Sequence, residues 1–217
     1  MAMPFTVEQF FDVFRRYNEA IWPLQWVLVA SAVLAVFVAL RGGSRADRAA
    51  SMVLAVLWLW AGVMYHLVFF RTINPVAVWF GVLFVSQGAL LAWFGLRCGL
   101  TFHPRGDGAG IAGGVLLLYV LVLYPVLGHA LGHRYPAAPT FGLPCPLTIF
   151  TFGLLLWARP PVPRSLLVIP TLWAIVGTVA ALRFGVREDF GLLVAAVLAA
   201  SVLLVRGGRR RHALRPA

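Results

Sequence analysis

Two histidines four residues apart, His129 and His133, share the run YPVLGHALGHRYPAAPTFGLPCPLTIFTF (124–152) with Cys145, a cysteine held between two prolines. Imidazole nitrogen and thiolate sulfur are the ligands that zinc and copper favour. If the helix that enters this run continues to Arg134, the two histidines share one face a turn apart and form a two-point metal grip. A third ligand must come from elsewhere, and His66, Cys145, Glu19 and Asp189 are the candidates, none fixed by spacing. Without the glutamate of HExxH the pattern is not that metalloprotease motif. Interfacial histidines that hydrogen-bond backbone and lipid headgroups would have the same spacing, so ligation and hydrogen bonding both stay open.

The elements that must position these groups are strongly apolar. Hydrophobic residues make up 61% of the 217 positions and charged residues 12%, where a soluble domain carries about 25%. Seven apolar runs can cross roughly 30 Å of hydrocarbon as helices: about 21–40, 49–70, 75–96, 110–131, 143–158, 165–184 and 189–205. Strand alternation is absent, and an open sheet cannot satisfy its edges in lipid. The expected fold is therefore all-α, a single polytopic membrane helix bundle of about seven spans. The fifth run is the shortest and follows a proline-rich stretch, so a tilted, broken or re-entrant segment is expected there. Before the first span, residues 6–20 read as an amphipathic interfacial helix. Thr6 and Gln9 have capping-box spacing, Phe5 and Phe10 that of a hydrophobic staple. Its apolar face suits either an anchor in the headgroup layer or a lid over a site beneath.

All eighteen basic residues are arginine, which excludes a lysine Schiff base and hence a rhodopsin-type chromophore. The net charge of +11 comes from arginines in short loops and in a basic tail, 206–217. That distribution reads as topology and anionic lipid, not nucleic acid. With the first, third and fifth loops and the C-terminus in the cytoplasm, twelve arginines lie inside and six outside. The expectation is thus an N-terminus outside and a C-terminus in the cytoplasm. Cys98 and Cys145 then fall on opposite sides and cannot pair.

On this topology the polar residues that border the spans gather in one leaflet. Glu19 opens span 1, Tyr65 and His66 end span 2, Arg71 and Asn74 follow, and Tyr124, His129 and His133 close span 4. Cys145 and Thr148 open span 5, and Arg183, Glu188 and Asp189 surround the last turn, where an arginine–carboxylate pair is expected. The flanking prolines argue that Cys145 sits on an extended segment, which favours ligation or reactivity over packing. Ionisable groups bordering a membrane span are costly to keep.

The residues PFTVEQF, YNEAIWP, YHLVFF with INP, the GVREDFGLLVA turn and above all TFGLPCPLTIFTFG resemble the bacterial membrane-protein family DUF6064 over nearly the whole chain. The resemblance implies a multi-pass inner-membrane protein and no particular reaction or substrate. It also implies that His66, His129, Cys145 and Asp189 fall in family motifs. Three functions remain open: an outer-facing His/Cys/acid pocket that binds or passes zinc or copper, a zinc-dependent hydrolase acting on a lipid-like substrate, and a metal-free scaffold. The expected partners are the bilayer and a metal ion or small molecule.

Overall fold

A computed structural model of the protein describes residues 4–213, with side chains as far as Leu203. The basic tail at 206–217 lies outside the described side chains, and 214–217 outside the described residues. The described chain is helical, without a strand: α1 (Val7–Ala20), α2 (Leu24–Arg41), α3 (Ser44–Trp60), α4 (Ala77–Arg97), α5 (Gly108–Leu118), α6 (Tyr124–Ala130), α7 (Pro144–Trp157), α8 (Ser165–Phe184) and α9 (Phe190–Ala213). α3 runs on through a π-helical stretch, Ala61–Phe69, and a 3-10 turn, Phe70–Thr72. A second π turn, Tyr119–Leu123, joins α5 to α6.

Among the described residues, five helical spans are long and apolar enough to cross a membrane: Leu24–Arg41, Ser44–Thr72, Ala77–Arg97, Gly108–Ala130 and Ser165–Phe184. Their outward residues include Trp79, Val126 and Leu182, each more than 60% exposed. A continuous apolar exterior of this kind suits lipid and would associate in water.

α7 behaves differently. Its 14 residues span about 21 Å at 1.5 Å per residue, short of the hydrocarbon core. Every one of them except Cys145 is buried, and α3, α5, α8 and α9 pack around it. A helix apolar on all sides is what a fully enclosed element requires. Close approach to α5 depends on Gly113, where an added Cβ would lie 2.8 Å from the Gly153 carbonyl and 2.7 Å from the Trp157 ring. The Trp157 indole N–H donates to the Gly110 carbonyl at 2.9 Å across the same contact.

At one end of the bundle three loops are tied together. The amide of Phe102 donates to Asp47 Oδ1 at 2.9 Å, that of His103 to the Trp157 carbonyl at 2.7 Å and that of Arg159 to the Thr101 carbonyl at 2.9 Å. Arg41, Arg45, Arg48, Arg97, Arg105, Arg159 and Arg164 all belong to this end.

The opposite end is roofed by α1 and residues 131–143. The capping box at Thr6 and Gln9 forms, and the Phe5 and Phe10 rings stack at 6.2 Å. The apolar stripe of α1 is buried against the bundle at Phe10, Val13, Phe14 and Tyr17, so this face covers protein, as a lid would. Asn18 fixes the roof. Its Nδ2 donates to the Pro136 and Ala138 carbonyls at 2.6 and 2.8 Å, and its Oδ1 accepts from Gln25 and Thr140.

Candidate functional site

Two cavities lie beneath this roof. The first, about 420 Å³, is enclosed by Phe5, Phe10 and Phe14 of α1, by Tyr65, Phe70 and Phe80, by Trp173 to Phe184 of α8, and by Cys145 at the start of α7. Its walls are mostly apolar, with aromatic rings packed together on one side: Phe10 stacks on Phe184 at 4.4 Å, and Phe5 meets Phe184 at 5.4 Å and Phe70 at 5.5 Å. Tyr124, Asp189 and Asn74 supply polar groups to the same wall. The second cavity, about 560 Å³, lies between α2 and α6 and is bordered by Trp22, Trp26, His129, His133 and Tyr135. Tyr124 and Pro139 belong to both walls.

Between the cavities the chain buries two consecutive carboxylates, Glu188 and Asp189, in the 3-10 turn Arg187–Asp189. Tyr124 donates to Asp189 Oδ1 at 2.5 Å, and the Cys145 thiol lies within hydrogen-bonding reach of the same carboxylate. Glu188 Oε1 pairs with His133 Nδ1 at 2.7 Å, while its Oε2 is buried without a partner. The Glu188 backbone carbonyl accepts from the Tyr119 hydroxyl at 2.6 Å. Gly128 is required beside this pair, because a Cβ there would come within 2.9 Å of Glu188 Oε1. Above the site, the Tyr17 hydroxyl accepts from Trp60 Nε1 at 2.9 Å, and burial pushes the Tyr17 phenol up from its ordinary pKa.

Of the residues singled out in the sequence, Tyr65, Asn74, Tyr124, Cys145 and Asp189 meet around the first cavity, and His129 and His133 border the second. His66 is fully buried but lines neither. Its ring is packed among Tyr65, Phe70, Phe80, Phe84 and Trp173, and both ring nitrogens lack a hydrogen-bond partner. Glu19 stands on the exposed side of α1, 3.7 Å from Arg15. Arg71 is exposed, and the Thr148 hydroxyl turns back on the Pro144 carbonyl within α7.

Three local expectations change. α6 ends at Ala130, before the histidine pair is complete. Gly132, at φ +96°, is the left-handed residue of a Schellman stop, with His133 N–H bonded to the Gly128 carbonyl and Gly132 N–H to the His129 carbonyl. His133 thus leaves the helix and turns to Glu188, while His129 remains exposed on it. Cys145 sits not on an extended segment but in the first turn of α7, with Pro144 as first residue. Prolines fit there because the first N–H groups of a helix have no intrahelical acceptor anyway. Finally, Glu188 and Asp189 bond His133 and Tyr124, and Arg183 is exposed instead of pairing with either.

The four suggested metal ligands, His66, His129, His133 and Cys145, therefore do not converge. Among the described residues no three His, Cys, Asp or Glu side chains gather into a set that could hold a metal ion. Trp173, Tyr119 and Asn18 escaped the sequence reading. Asn18 left the clearest trace, as an amide next to Tyr17 on the apolar stripe of α1.

The sequence profile of a family of unknown function, DUF6064, matches residues 7–213. The chain belongs to that family. The match includes the turn carrying Glu188 and Asp189, the lining of the second cavity, and that of the first except Pro4 and Phe5. No curated protein and no solved structure matches the chain.

Proposed function

We propose that this DUF6064 chain is a multi-pass membrane protein, N-terminus outside, that binds a lipid-like amphiphile in the cavity under α1. The observation that carries this reading is the composition of that cavity: an apolar enclosure of about 420 Å³ with Tyr124, Asp189, Cys145 and Asn74 among its polar groups. Mostly apolar walls with a few convergent polar groups are the usual form of a small-molecule site. Seven spans follow if α7 and α9 join the five long helices in the bilayer, and the arginine-rich loops then face the cytoplasm. In the inner membrane, the roofed end would open to the outer leaflet.

Detergent-purified protein is expected to retain an amphiphile detectable by native mass spectrometry. Ala180, which lines the cavity, gives the control: Ala180→Trp fills the space and should abolish retention. Equal retention by that variant would overturn the reading. Binding or passage of zinc or copper is the second reading. It rests on His129 and His133 at the second cavity and requires a further ligand from outside the described residues. Metal analysis of the protein beside a His129→Ala/His133→Ala variant tests it, and one equivalent lost in the variant would reverse the order of the two readings. A zinc-dependent hydrolase of a lipid-like substrate would need that same metal, and its activity is read directly as release of product from the retained amphiphile.

A further inference from the structure

We infer that the head of the amphiphile is uncharged and carries a hydrogen-bond acceptor, such as the carbonyl of an ester, and that it is received by the indole N–H of Trp173. The inference rests on the reading of the first cavity as an amphiphile site and assigns the chemistry of its occupant.

The charge of the wall limits the choice first. Among the described residues lining this cavity, Asp189 is the one acidic side chain; no arginine or histidine lines it. Arg71 and Arg183, the arginines nearest in sequence to the lining residues of α4 and α8, are exposed. A carboxylate or phosphate head would therefore be buried beside an acid with no cation to pair it, in surroundings where charge is weakly screened.

The hydrogen-bond inventory then separates neutral heads from amines. Asp189 receives the Tyr124 hydroxyl at 2.5 Å and has the Cys145 thiol beside it. Two donors already face it. Trp173 is the reverse case: its Nε1 is buried without a hydrogen-bond partner, although the residue lines the cavity. An indole nitrogen can only donate, and a buried donor left unmade is expensive. The Cys145 sulfur is its near neighbour and a weak acceptor at best.

Two further features hold this donor in position. His66 meets the Trp173 ring edge-on at 4.9 Å, and Phe80 and Phe84 meet it at 5.3 and 5.1 Å, so the indole has little freedom to turn away. Gly177, one turn further along α8, also lines the cavity. A Cβ there would lie 2.5 Å from Leu192 Cδ2, 3.2 Å from Cys145 Sγ and 3.6 Å from Trp173 Nε1, so the glycine lets Leu192 of α9 pack close beside the donor.

The test is photolabelling of the full-length protein in nanodiscs with the methyl ester of a diazirine-bearing C16 fatty acid, the labelled peptides being mapped by mass spectrometry. Unlabelled methyl palmitate, palmitate and hexadecylamine compete. Labelling of α1 and α8 peptides is expected, with methyl palmitate competing at least tenfold better than palmitate at pH 7.5. Trp173→Phe should weaken the ester about tenfold with an unchanged thermal midpoint, and Asp189→Asn should narrow the gap between ester and acid. Palmitate or hexadecylamine competing as well as the ester, or an ester indifferent to Trp173→Phe, overturns the head assignment and leaves the amphiphile cavity standing. No label in cavity peptides sinks both. If Asp189→Asn does not fold, the ranking of the three competitors and Trp173→Phe still decide.

Discussion

His133 and Glu188 are the side chains at which a single substitution separates packing from placement. Glu188 is wholly buried and one of its oxygens is already unpartnered, so His133→Ala would leave the carboxyl without either bond. A buried acceptor stripped of its donor costs about 1–3 kcal/mol. Thermal unfolding in detergent should show that loss for His133→Ala and almost none for His129→Ala, because His129 is exposed. Equal effects would mean that the Glu188 contact is not made. The two histidines were legible as a pair from their spacing, but their separation was missed, although the sequence carries a signal for it. Gly132 stands between them, and glycine is the residue that most readily ends a helix in the left-handed conformation. What spacing could not reveal was the partner, since Glu188 is 55 residues away along the chain. His66 shows the same limit. Its burial followed from the apolar sequence around it, but its ring of aromatic neighbours comes from α3, α4 and α8 together.

Among the elements, α5 and α7 make a close helix contact at Gly113. Gly113→Ala should be destabilising, since its methyl would meet Trp157 and the Gly153 carbonyl at under 3 Å and strain the Trp157–Gly110 hydrogen bond. Overpacking of this kind costs about 1–3 kcal/mol. Gly114→Ala next to it meets nothing closer than 3.8 Å and should be neutral in the same melt. The two π stretches are where element-level reading failed. Both Ala61–Phe69 and Tyr119–Leu123 carry or adjoin site residues, and the wider turn shifts the register of every later residue. Apolar sequence gives no warning of that shift, whereas the capping box of α1 was visible because two side chains at fixed spacing make it. α1 itself offers a third test. Asn18→Ala removes the bonds from α1 to residues 136–140, so protease access to the 131–143 stretch should rise while far-UV circular dichroism stays constant.

Across the whole molecule the two ends have different tasks. The arginine-rich end is held by backbone bonds and by Asp47, a buried carboxylate that accepts from the Phe102 amide. Asp47→Ala should lower the unfolding free energy by about 1–3 kcal/mol and leave amphiphile retention at the other end unchanged. Coupled loss of both would show that the ends are not independent. Long apolar runs and loop charge made the bundle legible from sequence, because each run carries its own signal. α7 carries less, being the shortest of the seven apolar runs. That shortness bears on how the chain is made. A 14-residue helix enclosed in part by the later elements α8 and α9 has little to gain from partitioning alone into lipid, so it should settle only after α8 and α9 have been synthesised. Nascent chains halted after Trp157 should leave α7 accessible to water-soluble thiol reagents at Cys145, and chains extended beyond α9 should protect it. In biogenesis, then, the central helix is the last to arrive.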